Sequence, residues 1–155
     1  ERYRRHLVFL KPDVLVVVDE VKAKNPVSLK FWLHGRAPFT IDPSGERIAL
    51  TFEKASLSGF LCSPGGVQTL QTDKYPIPPE MGRTRPEWHL SAETKEKHAA
   101  ARFIAVLGTA KSGETIALES AEDISSGQTI AVRFRRAGKP VTVSIDPSGP
   151  SLTVK

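Results

Sequence analysis

Apolar and polar residues alternate with a period of two along most of this chain, and that alternation commits it to strands. Ile48, Leu50 and Phe52 alternate with Arg47, Ala49, Thr51 and Glu53. Ile130, Val132 and Phe134 alternate with Thr129, Ala131, Arg133 and Arg135, and Val141, Val143 and Ile145 alternate with Thr142 and Ser144. Successive side chains of a strand point to opposite faces, so each run offers one apolar face and one wet face, as in an antiparallel sheet with one solvated side. The run Val14–Val18 departs from the pattern with five consecutive apolar residues and reads as a buried strand.

Turn chemistry separates the runs. Lys11-Pro12-Asp13, Asn25-Pro26, Pro43-Ser44-Gly45, Ser112-Gly113, Ser126-Gly127 and Ala137-Gly138 combine preset φ angles with glycines able to take positive φ. The pentapeptide Ile41–Gly45 recurs at Ile145–Gly149, which reads as one hairpin chemistry used twice. Strands are expected at 3–10, 13–21, 27–34, 38–42, 46–53, 56–62, 67–71, 87–92, 99–108, 114–120, 128–136, 139–145 and 151–154. Only Ser91–Ala101 has helix-forming composition, and it is short enough to read as a charged hairpin tip. The expected fold is all-β, an antiparallel β-sandwich of about a dozen short strands with little or no helix. The 155 residues suit one domain, 1–155. The chain opens on Glu1-Arg2-Tyr3-Arg4-Arg5, directly in a strand-like run, and is expected to be a piece of a longer parent.

Several function classes are poorly supported. No apolar run is long enough to span a bilayer as a helix. The net charge of +5 favours acidic partners, but it is dispersed, unlike the clustered basic stretch of a nucleic-acid binder. Cys62 is the single cysteine and reads as a small buried apolar residue. There is no GxSxG elbow and no phosphate-cradling loop; Gly65-Gly66 is a lone pair. Asp19-Glu20 and Glu122-Asp123 are adjacent pairs, which a strand sends to opposite faces. His6, His34, His89 and His98 never stand at HxH, HxxxH or HExxH spacing. Asp19 with His34, or His6 with Asp19, would be able to meet across neighbouring strands, but the plain reading is hydrogen-bonded strand residues, and no metal ligand or catalytic residue is assigned.

One segment breaks the hairpin rhythm. Residues 72–87 hold Pro76, Pro78, Pro79 and Pro86 with Arg83 and Arg85, and Trp88 and His89 follow at once. Long loops in compact domains are usually functional or disordered. Aromatic faces stack on sugar rings, and arginine forks bind carboxylate and sulfate. Arg83, Arg85, Trp88 and His89 are therefore the candidate substrate-binding residues. Trp88 also has a competing reading as a packing residue. Trp32 follows Phe31, so only one of those two can face a given core.

The stretch from Arg4 to Val21, with Leu10-Lys11-Pro12-Asp13 leading into Val16-Val17-Val18-Asp19, resembles a segment of the heparinase II/III-like polysaccharide lyases. The strand Phe31-Trp32-Leu33-His34-Gly35, the later Pro86-Glu87-Trp88-His89-Leu90 and the apolar Phe103–Leu107 extend the resemblance over about two-thirds of the chain. It implies the C-terminal β-sandwich portion of an enzyme whose α/α-toroid lies N-terminal to the sandwich and which cleaves uronic-acid glycans by β-elimination. The family's catalytic His-x-His-x-Asp-x-Asn motif and its zinc ligands precede the matched segment. No cofactor is thus expected here, and any zinc of the parent would take ligands outside this chain. The resemblance further implies an anionic polysaccharide and the parent's N-terminal catalytic domain as partners, and a bacterial periplasmic or extracellular location. The alternative is a non-catalytic carbohydrate-binding or structural β-module of a cell-surface protein.

Overall fold

The central strands of the molecule are the ones the sequence makes apolar on both sides. In the computed structural model, which describes residues 1–74, 87–114, 116–127, 129–146 and 152–155, β2 (Val14–Val27) pairs antiparallel with β9 (His98–Lys111). Val14, Val16 and Val18 point to one side of this pair with Ile104 and Val106; Val17 points to the other with Phe103, Ala105 and Leu107. β1 (Arg2–Leu10) flanks β2, while β6 (Ala55–Cys62), β5 (Arg47–Phe52) and β4 (Thr40–Ile41) continue beyond β9. The resulting six-stranded sheet has the order β1-β2-β9-β6-β5-β4.

A smaller sheet covers each face. On one side lies the order β10-β11-β12-β13, formed by Leu118–Asp123, Ile130–Arg136, Lys139–Ile145 and Leu152–Val154. Ile130, Val132, Phe134, Val143 and Ile145 close the first core against the even-numbered valines of β2. On the other side β3 (Lys30–Gly35), β8 (Trp88–Thr94) and β7 (Val67–Thr72) form a sheet of order β3-β8-β7. Phe31, Leu90, Ala92 and Val67 close the second core against Val17, Leu61, Phe103 and Leu107, with Phe31 and Phe103 stacked at 5.1 Å.

Among the described residues all 13 strands pair antiparallel and there is no helix, as the alternation requires. Three differences from the sequence reading have physical causes. The sandwich has three layers, because β2 and β9 carry buried side chains on both faces. β2 and β9 are long, 14 residues each. β10 starts at Leu118, later than the 114–120 expected, because Lys111-Ser112-Gly113-Glu114 makes a turn closed by the Glu114 amide on the Lys111 carbonyl. The charged segment after Ser91 finishes β8 and turns into β9 without forming a helix.

The first Ile-Asp-Pro-Ser-Gly segment shows how its turn works. The Asp42 carboxylate accepts hydrogen bonds from the Ser44 hydroxyl and from the amides of Glu46 and Arg47, and Gly45 takes φ 80°. Partial burial pushes the Asp42 carboxyl up, but those donors outweigh it and hold it below the usual 3.8. The second copy lies largely outside the described residues.

β1 is less well covered. Leu7 and Phe9 share a side of the sheet with Val17 and Leu15, their register partners, yet stay 64% and 58% exposed, because the three-stranded sheet does not reach over them. Tyr3, on the same side, is 60% exposed.

Two outcomes follow. Leu61 is fully buried between the central and three-stranded sheets, so Leu61→Ala should cost about 2–5 kcal/mol in a urea titration. A carboxyl held low by folding stabilises fully above its unfolded pKa, and that contribution disappears as pH falls through the folded value. Acidification below 3.8 should therefore lower the stability of the parent chain more than that of Asp42→Asn, read from thermal midpoints on both sides of that pH.

Candidate functional site

The structure separates the four candidate substrate-binding residues. Arg83 and Arg85 lie outside the described residues, as does most of the Pro-rich segment. Trp88 is half-buried and packs against the second core with Leu90, in keeping with the packing role weighed for it beside sugar stacking. The cause is register: Trp88, Leu90 and Ala92 share one side of β8, and that side is the apolar one. His89 points the other way, onto the outer face of the three-stranded sheet.

That outer face carries the chemistry the sequence reading missed. His34 and His89 are direct register partners in the β3–β8 pair, with ring centroids 4.1 Å apart. Glu87 stands two residues before His89 and joins them, so that one ligand atom from each residue lies within 4.8 Å of the others. The Arg36 guanidinium sits 3.6 Å from the Glu87 carboxylate. Burial grades across the group: His34 is exposed, Glu87 half-buried, and His89 only 7% exposed. On the same face Trp32 is 48% exposed, with the Lys30 ammonium 5.7 Å from its ring. Of the Phe31-Trp32 pair, phenylalanine took the core and tryptophan the surface.

The pairings considered for Asp19 do not form. Asp19, 6% exposed, instead accepts two hydrogen bonds from Arg5, at 2.6 and 2.7 Å, and one from the Tyr3 hydroxyl at 2.9 Å. The Arg5 guanidinium is raised by its hydrogen bonds to Asp19, against the opposing effect of burial. These groups line a cleft of about 330 Å³ with Lys30, Phe31 and Phe103 at its wall. His6 meets Glu20 at 3.1 Å, and Glu20 also faces Arg102 at 3.8 Å. Arg102 joins Arg2 and Lys22 around a second cleft, of about 240 Å³, whose rim is mainly cationic.

Cys62 behaves as its isolation implies. It packs against the first core, and burial, reinforced by Glu46, Asp123 and Glu122, pushes its thiol up to about 12. It is not an activated nucleophile.

No family model and no curated protein matches this sequence. Solved structures do. The heparinase III gene product matches with a TM-score of 0.72 at 16% identity, over 93% of this chain and 23% of that one. The same protein with methylated lysines gives 0.71 at 15% identity. A crystal structure of heparinase III gives 0.70 at 18%, again over 93% of this chain and 23% of its own. The chain thus spans under a quarter of the length of these structures, and it has the fold of the β-rich part of heparinase III to which it aligns.

Proposed function

We propose that this chain serves as the β-sandwich portion of a polysaccharide lyase of the heparinase kind, and that a catalytic domain elsewhere in the same protein performs β-elimination on a uronic-acid glycan. The observation that carries this reading is the fold match, which takes in 93% of this chain and a minor part of the heparinase III structures. In this reading 1–155 acts as one unit, buttresses the catalytic domain and forms a wall of the glycan cleft. The uncovered apolar strip of Tyr3, Leu7 and Phe9 suits a neighbouring domain. The cleft rimmed by Arg2, Lys22 and Arg102 suits a carboxylate- or sulfate-bearing polymer. A periplasmic or extracellular location belongs to the same reading; among the described residues no helix is long and apolar enough to cross a membrane.

Activity separates this reading from a stand-alone module. A longer protein containing this chain should generate unsaturated uronate product, followed by its ultraviolet absorbance, from at least one glycosaminoglycan, whereas the 155-residue chain alone should generate none. Product from the chain alone would overturn the division of labour. No product from the longer protein with any uronic-acid glycan would overturn the lyase reading.

The two tryptophans make a second test. Trp32→Ala removes an exposed ring and should leave the thermal midpoint nearly unchanged while weakening retention on an immobilised anionic glycan. Trp88→Ala removes a half-buried ring that packs on the second core and should lower the thermal midpoint clearly.

A further inference from the structure

We propose that His34, Glu87 and His89 form a binding site for a zinc-class divalent cation on the outer face of the three-stranded sheet. His34 and His89 come from two neighbouring strands, and Glu87 immediately precedes the second of them. Residues directly opposite in an antiparallel pair hold their Cβ atoms about 4.5–5.5 Å apart, which places the imidazoles of His34 and His89 side by side without any sequence motif. Glu87 reaches the same face because side chains two apart on an extended backbone point the same way. Pairing and pleat together thus supply two nitrogen donors and one carboxylate.

The distances fit after small side-chain rotations. Zinc binds imidazole nitrogen at about 2.0–2.1 Å and carboxylate oxygen at about 2.0–2.2 Å, so tetrahedral ligand atoms stand about 3.3 Å apart. Here they lie within 4.8 Å, a gap that modest torsions of two imidazoles and a glutamate close. The donor set selects the metal: two nitrogens and one oxygen suit zinc, with copper, nickel and cobalt as competitors, and disfavour calcium and magnesium, which demand oxygen cages. Three protein ligands leave a fourth position, and His34 is the exposed member, so that position opens toward solvent. Arg36 stays useful once the cation is in place. It touches one oxygen of the Glu87 carboxylate, at 3.6 Å, and leaves the other for the metal, so it orients the ligand and balances its charge. A bound ion would clamp β3 to β8 at the point where β8 begins.

The experiment titrates zinc into the metal-stripped 155-residue chain by calorimetry at neutral pH, with cobalt as a spectroscopic probe. The expected result is saturable binding of one equivalent, a rise in the thermal midpoint with zinc, and the visible absorption of four- or five-coordinate cobalt. His34→Ala should weaken zinc binding by at least about tenfold, since losing even an orienting neighbour of a ligand costs that much. Glu87→Gln should also weaken it. His98→Ala, which removes a histidine of β9, should leave it unchanged. His89 is buried, so His89→Ala risks the fold; His34 is exposed, and its variant carries the test. Absence of saturable zinc binding, or equal affinity in parent and His34→Ala, overturns the site.

Discussion

Between Val14 and Val18 the chain is hydrogen-bonded to residues 104–108 with side chains packed on both faces, so this part of the strand pair has little side left for water. Antiparallel sheets commonly leave one face solvated. Here the apolar residues of β2 and β9 are too continuous for that, and exposing either face would return several fully buried valines, isoleucines and phenylalanines to water, each worth about 1.5–3 kcal/mol. The need to cover two faces accounts for both outer sheets. It also explains why those sheets can remain small and half-wet: each has one apolar face to hide and one to expose.

The same constraint sorts the polar groups. Polar side chains on the central sheet must satisfy one another, and they do so in pairs across β1, β2 and β9: Tyr3 and Arg5 on Asp19, His6 and Arg102 on Glu20. Other polar groups stand on the solvent faces of the outer sheets and on the rims of the clefts. The His34–His89 pair and Trp32 occupy such a place, as does the cationic rim of Arg2, Lys22 and Arg102.

Legibility in the sequence follows from this division. The alternation at Ile130–Phe134 and Val141–Ile145 correctly indicated which side chains enter a core, and the unbroken run Val14–Val18 correctly indicated a buried strand. Alternation assigns faces and not partners, so it left open that a third layer covers β2. It showed that Phe31 and Trp32 part company without showing which goes in. His34 and His89 looked unrelated because their proximity depends on the β3–β8 register, which no local spacing encodes. The surroundings of Trp88 depend on register in the same way. Its neighbours in sequence are Arg- and Pro-rich, but its environment is fixed by Leu90 and Ala92 on the same side of the strand.

The strand order of the central sheet also bears on how the chain reaches this state. β1–β2 and β5–β6 are hairpins between sequence neighbours and can assemble early. β9 then has to insert between them, where Val18 meets Ile104 on one edge and Cys62 meets the same residue on the other. Until it arrives, both hairpins present open edges and unfilled apolar faces, and closing so long a loop is slow. The docking of β9 is therefore the longest-range step in assembling this sheet, and before it the two hairpins carry strand edges open to pairing with other chains.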